Sequence, residues 1–572
     1  MNNGNQHSGL HVKPSQVAYK NSLAITPDDV MQTKYDWLAS ADRDGRMGAV
    51  SVTNPRYLRR TAGVYSDNLD VDTKYVYLVD DDGVVDGGTV TYGTAWYGTA
   101  LGDESGDSLT NAKTIDSFEA WQALADNSDD WEFYWLLTAD IDAGGKELHG
   151  IGSQAITFTG TFDGGGNCLR NFRRTIGDSY NRVAVFNRPG ATATIKHLTL
   201  INGTVIGITS NATQSYTSIL AAEAGYGCLI TRCRLVDCTV TQTHNQAGVP
   251  AYVGPLAGAN HGVITHCEVV RGSARADILA GTTLHLGGLV GLQTGDPTSG
   301  IGRTEKCHST AFVGSHKGVS AVVARVGGVV GSIWESEAGN HKLLSSGHDG
   351  DINYVTTANA LVGGICGENG SGSDGNGGDL DECWHTGSLT VKVNSSTSRV
   401  GGLIGSCSGG STMDLCFCNT AMDIDDGAGN LYAGGGIGAA VPTAAADNIS
   451  NCYVLGSITD NGSTTIAFSI WGGFCGYGKN TVFDECYVAM GPWGGASANR
   501  EGFIGLNTDC TLTDCYWDTD VAGHDTAADG TEMTTVESMA AATYSGFDFT
   551  AGSGWIIVEG MIRPRLPWQG CA

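Results

Sequence analysis

The sequence predicts an all-β fold: a right-handed single-stranded parallel β-helix, a solenoid, preceded by a small N-terminal module and an N-terminal capping helix. Three observations predict it. Glycine supplies 84 of 572 residues while Lys and Arg together supply only 32, a composition in which repeats are sought before compact domains. A motif Gly-Gly-Φ-Φ-Gly, with Φ apolar, recurs at 287–291, 327–331, 363–367, 401–405 and 472–476, and weaker copies begin at Gly254, Gly434 and Glu501. A cysteine follows in step, at Cys267, Cys307, Cys383, Cys416, Cys452, Cys486 and Cys515, with Cys233 ahead of them and Ser346 in the one vacant slot.

Each repeat then offers three short strands: the Gly-Gly segment, the segment around the cysteine, and an apolar run after a later glycine such as 388–393 (SLTVKV). Glycine costs about 1 kcal/mol relative to alanine at a helical position, so the Gly-Gly segment is not helical. Repeat length varies, and the variation belongs in turns, where extra residues cost little. About nine repeats run from Gly225 to Tyr516, and 160–172 and 195–207 read as earlier coils of the same solenoid.

Adjacent parallel strands lie about 4.8 Å apart, so equivalent residues stack in columns. The cysteines Cys233, Cys267, Cys307, Cys383, Cys416, Cys452, Cys486 and Cys515 are expected to form one such column in the core, because a thiol is small and apolar. By the period of two, the residue after each cysteine faces outward and the next faces inward. The outward set ends in five aromatics, Trp384, Phe417, Tyr453, Tyr487 and Tyr516. A stripe of that kind either packs under turns, against a second subunit or on itself, or it offers ring faces to a ligand such as a glycan.

The expected domains are 1–108, an attachment or assembly module with a flexible arm; 109–215, the capping helix and first coils; and 216–572, the repeats and a closing coil. Segment 116–127 (DSFEAWQALADN) places Phe118, Trp121, Leu124 and Ala125 on one helical face, with Asp116 or Ser117 as N-cap. Such a helix at the mouth of a solenoid would shield an open sheet edge. At the far end, Tyr544, Phe549, Trp555 and 562–568 are expected to complete the last coil, with prolines ending strand pairing.

A formal charge of -28 argues against nucleic acid as a partner, since phosphate binding depends on Lys and Arg. No run of 18 apolar residues is present, so membrane insertion is not expected. The polar start 1–10 lacks the features of a secretory signal, which points to synthesis in a cytoplasm. Seventeen cysteines at repeat spacing read as core residues and not as a disulfide framework or a zinc site. No cofactor is expected, with calcium at an acidic turn such as 80–83 as the alternative. The acidic segments 80–83, 374–379 and 423–427 carry oxygen ligands, but none completes a calcium-binding loop.

The units Gly-Gly-Leu-Ile-Gly at 401–405 and Ile-Ser-Asn-Cys-Tyr-Val-Leu-Gly at 449–456 resemble the GLUG repeat family of bacterial surface proteins, adhesins and some immunoglobulin A peptidases. Segments 137–142, 158–167 and 546–566 also resemble that family's first and last coils, so the resemblance covers about 450 residues. It implies a β-helix and is nearly silent on activity. No His-Glu-x-x-His motif is present, so the peptidase activity of some relatives is not carried over. A β-helix behind a short N-terminal module is similar in architecture to phage tailspikes and tail fibres. That similarity implies a virion surface protein, made in the host cytoplasm, a homotrimer joined to other virion proteins through its N-terminal module, and binding a host surface glycan along the helix. The alternatives are a bacterial cell-surface adhesin and a polysaccharide depolymerase.

A depolymerase would be a hydrolase or a lyase, and hydrolysis needs paired carboxyls about 5 to 9.5 Å apart. Glu335 with Glu337, Asp381 with Glu382, and Asp484 with Glu485 lie near aromatic residues, but 60 acidic residues make such neighbours common, and no catalytic residue is assigned. His348 and His385 fall on stacked inward positions and read as hydrogen-bonded core histidines, there being no third metal ligand in view.

Overall fold

The computed structural model describes residues 111–569 apart from segments 176–181, 210–213, 245–247, 279–282, 296–301, 316–322, 335–341, 358, 371–376, 394–396, 426–429, 443–444, 462–468, 492–499, 524–528 and 551–554. The expected N-terminal module, with its acidic turn at 80–83, and the pair Glu335 and Glu337 lie outside the described residues. Two compact units are present. In the smaller, Lys113–Ile115 pairs in parallel with Tyr134–Leu137, Tyr134 donates to Asp163 at 2.9 Å and Asn167 Nδ2 donates to the Leu137 carbonyl at 2.6 Å.

The larger unit is a parallel β-solenoid. One coil shows the plan. Val263–Thr265 lies in a first sheet; Glu268–Val270 and Ser273–Ile278 lie in a second; Thr283–Gly287 lies in a third; Val290–Gln293 lies in a fourth. Equivalent strands of successive coils pair in register, as in Ile264 with Thr304, Val269 with Ser309, Leu286 with Val326 and Leu292 with Ser332. The coil therefore has five short strands in four sheets where the sequence suggested three.

The reason lies at the corners. The residue before each cysteine of the column adopts positive φ: Arg232, His266, Lys306, Ser345, Glu382, Leu415, Asn451, Glu485 and Asp514, with φ between 45° and 54°. That conformation turns the chain, so the segment around each cysteine is two strands and not one. Left-handed φ costs an L-residue about 1 kcal/mol or more, and Asn and Asp bear it best. Only Asn451 and Asp514 in this row are of those types, which is why the corner is hard to see in the sequence.

The bend at Gly-Gly-Φ-Φ-Gly has a different cause. A Cβ on Gly363 would fall on the carbonyl oxygen of Cys366 and lie 2.7 Å from the Gly405 nitrogen; one on Gly331 would lie 2.5 Å from the Gly291 oxygen and 2.6 Å from the Leu286 nitrogen. The third and fourth sheets thus approach backbone to backbone, and only glycine fits between them.

The thiol column is present and buried throughout. The Cys233 amide donates to Cys267 Sγ at 3.4 Å, Cys267 to Cys307, Cys383 to Cys416 and Cys416 to Cys452, each at 3.4 Å. Ser346 completes the column, its hydroxyl accepting from the Cys307 amide at 3.1 Å. Cys486 and Cys515 extend it, and no disulfide joins the described cysteines. The helix Phe118–Asp126 forms where expected, with Trp121, Leu124 and Ala125 buried and Trp121 against Phe186.

Candidate functional site

Two columns of outward side chains run along the solenoid. The first is the predicted stripe on the second sheet, and its register is that of the sequence: Arg234, Glu268, His308, Gly347, Trp384, Phe417, Tyr453, Tyr487 and Tyr516 are consecutive partners. The rings stack, Phe417 on Tyr453 and Tyr453 on Tyr487 at 5.1 Å each.

The stripe is not an open surface. Phe417, Tyr453, Tyr487 and Tyr516 are buried beneath the chain's own C-terminal segment, which brings Tyr544, Phe547, Trp555 and Leu566 onto them. Hydrogen bonds fix the cover: Tyr453 to Gln569 Oε1 at 2.8 Å, Tyr487 to the Pro564 carbonyl at 2.5 Å, Trp555 to Asn451 Oδ1 at 3.3 Å and Trp568 to the Leu415 carbonyl at 3.3 Å. Of the alternatives for this stripe, Phe417, Tyr453, Tyr487 and Tyr516 take packing beneath the chain itself together with stacking on one another, and not ring faces open to a ligand or a second subunit. Once coil stacking is satisfied, a row of aromatic rings leaves an apolar surface that the tail aromatics cover.

Trp384, at the end of the covered stretch, is partly buried between His308 (5.9 Å, stacked) and Trp568 (5.5 Å). Asp349 holds this corner together, accepting from His308 at 2.8 Å, Trp384 Nε1 at 3.1 Å and Thr386 at 2.7 Å. Despite the opposing effect of desolvation, these donors and the His308 charge draw its carboxyl down to about 2. Trp384 is therefore stacked by His308 on one face, met at a tilt by Trp568, and left partly exposed.

Inside the same sheet, His348 and His385 are fully buried and stacked at 5.2 Å. His348 Nε2 lies 2.8 Å from the Ala311 carbonyl and His385 Nδ1 lies 3.0 Å from the His348 carbonyl, so each ring can donate as a neutral imidazole, while His385 Nε2 is buried with no partner among the described residues. Desolvation depresses them to about 3 and 4. Of the acidic pairs, Asp381 is pushed up to about 6 by desolvation and by its neighbours Cys416, Glu382 and Asp414, while Glu382 is occupied by Ser345 at 2.5 Å. A cavity of about 520 Å³ opens at the last coil between Glu501, Leu506, Asp509, Cys510 and Asp529.

The second column was not singled out from the sequence. Outward positions of the third sheet, Arg182, Tyr216, Tyr252, His285, Arg325, Leu361, Arg399, Tyr432 and Ile470, run beside those of the fourth, Glu223, Ala259, Leu292, Ser332, Glu368, Ser406, Ala439, Tyr477 and Leu506. The glycine bend brings the two together as a cleft. Four residues of the third sheet reach one coil onward to the fourth: Arg182 to Glu223, His285 to Ser332 at 2.5 Å, Arg325 to Glu368, Tyr432 to Tyr477 with ring centres 5.2 Å apart. Arg325 also lies 5.3 Å from the Trp334 ring. The signal available in the sequence was the residue two before each Gly-Gly pair, as in RVGG at 325–328 and 399–402 and YAGG at 432–435.

No family model matches the chain, and no curated protein does. Among solved structures, one described as "a putative immunoglobulin A1 protease from Bacteroides ovatus" matches at 20% identity, covering 50% of this chain and 79% of that one, with a TM-score of 0.35.

Proposed function

We propose that the chain is a surface attachment protein, a virion spike or fibre, whose solenoid engages a host cell-surface polysaccharide and whose N-terminal module joins it to partner proteins, most simply as a homotrimer. What supports this is the cleft between the third and fourth sheets. Its early coils, from Arg182 to His285, are buried, but Arg325, Arg399, Tyr432 and Tyr477 are partly exposed along the later ones, with aromatic area for sugar faces and charged groups for hydroxyls and acids. The motifs at 401–405 and 449–456 favour a second reading, a bacterial surface adhesin, which uses the same face.

Retention of the full chain on immobilised bacterial surface polysaccharides tests the binding, and release of reducing ends in the same mixture separates a depolymerase from a binder. Failure to retain on any glycan would sink the proposal. Light scattering decides the assembly: a mass near three times 59.4 kDa fits the spike, and a monomer moves the weight to the adhesin.

A further inference from the structure

Three arginines occupy the same outward column of the third sheet, and they are not treated alike. Arg182 and Arg325 each reach one coil onward to a glutamate, Glu223 and Glu368. The position one coil onward from Arg399 in the same fourth-sheet column is Ala439. Arg399 turns instead to Ser406 in its own coil, with Nη1 donating to the hydroxyl at 2.6 Å. Among the described residues no carboxylate forms an ion pair with it; Glu368, paired with Arg325, acts on it only from a longer distance.

The guanidinium is nevertheless largely withdrawn from water, and this desolvation lowers its pKa despite the neighbouring Glu368 and two tyrosines. A guanidinium held out of water with no carboxylate in direct ion-pairing contact is costly, and an incoming anion would relieve that cost. The next coils supply the rest of a site. Tyr432 follows Arg399 in the third-sheet column and Tyr477 follows Ala439 in the fourth, and both are partly exposed.

We infer that Arg399, with Tyr432 and Tyr477 beside it, is a subsite for a carboxylate-bearing sugar, the ligand's carboxylate pairing with Arg399 as Glu223 and Glu368 pair with the other two arginines. An Arg–carboxylate pair gives directional, charge-assisted hydrogen bonds. The tyrosines give apolar contact to the sugar ring at low entropic cost. The inference rests on the polysaccharide-binding reading and narrows its ligand to uronic-acid polymers.

The test is calorimetric titration of the full chain with oligogalacturonate and with its neutral methyl ester. The expected result is binding of the acid at least tenfold tighter than the ester, weakening with salt. Arg399→Gln should remove the preference, and Ala439→Glu should remove it while raising the unfolding temperature, since it restores the internal ion pair. Equal affinity for acid and ester, or a preference that survives both substitutions, overturns the inference. The acid–ester comparison on the unsubstituted chain decides the matter even where a variant does not fold. Retention on neutral glycans without an acid preference defeats this subsite and leaves the wider reading standing; retention on none defeats both.

Discussion

The stripe on the second sheet and the cleft between the third and fourth are built by the same rule, an outward position repeated coil after coil, yet they end differently. The stripe is aromatic, so its stacked rings make an apolar surface, and the tail closes it. The cleft mixes arginine, glutamate, tyrosine and small residues, so it closes on itself wherever an opposite charge lies one coil onward and stays incomplete at Arg399. Alternation fixes which way a side chain faces. Chemistry fixes what covers it.

The largest effect should come from the bend beneath the cleft. Gly363→Ala places a methyl group against backbone atoms of two coils, and a loss above roughly 5 kcal/mol, seen as failure to fold or aggregation on expression, is expected of such a clash; a variant of near-normal unfolding temperature would refute the backbone-contact account of the motif. The stripe comes next. Trp555 is buried against Phe547, Tyr453 and Tyr487, and Trp555→Ala should cost about 3 to 5 kcal/mol in chemical denaturation, with new binding of a hydrophobic dye. Were the tail only loosely laid on, the cost would be under about 1 kcal/mol.

In the cleft, Glu368→Gln leaves Arg325 without its buried partner and should cost about 3 kcal/mol, while Tyr477→Ala, at a partly exposed site, should cost much less. Equal losses would erase the distinction between the closed and incomplete parts of the cleft.

Behind the stripe, the two histidines predict a pH dependence. Their folded pKa values, about 3 and 4, lie below the unfolded value of 6.5, so the unfolded chain binds more protons. Stability is fully present above the unfolded pKa and falls as pH drops from about 6.5 toward the folded values. Between pH 8 and pH 5 each imidazole should remove about 2 kcal/mol, and His385→Gln should flatten its share of that slope. The smallest effect is at a corner: Lys306 holds φ of 51°, and Lys306→Asn should gain about 0.5 to 1 kcal/mol.

Much of the fold was legible. The thiol column, the serine that fills its gap, and the facing of Phe417 through Tyr516 all followed from a period of two within a longer repeat. The cover over the stripe was not legible, because it comes from residues 533–569, which carry no repeat and are placed by contacts far away in the chain. The corners escaped because φ alone defines them and residues as different as Leu415 and Lys306 occupy them. The cleft escaped for a subtler reason: RVGG and YAGG were read for their glycines, and the glycines' role in bringing two sheets together was what gave the preceding arginine or tyrosine a neighbour.

The tail changes how the molecule must be made. A stack of coils held only by neighbours can add or lose its last coil at little consequence to the rest. Here Met533, Tyr544, Phe547, Trp555 and Leu566 lie back across the coils from Phe417 to Tyr516, meeting rings that come into line only when those coils are stacked in register. The closing step thus inspects the assembly before sealing it: a chain with one coil slipped would present the tail with a broken row, and the lock would not engage.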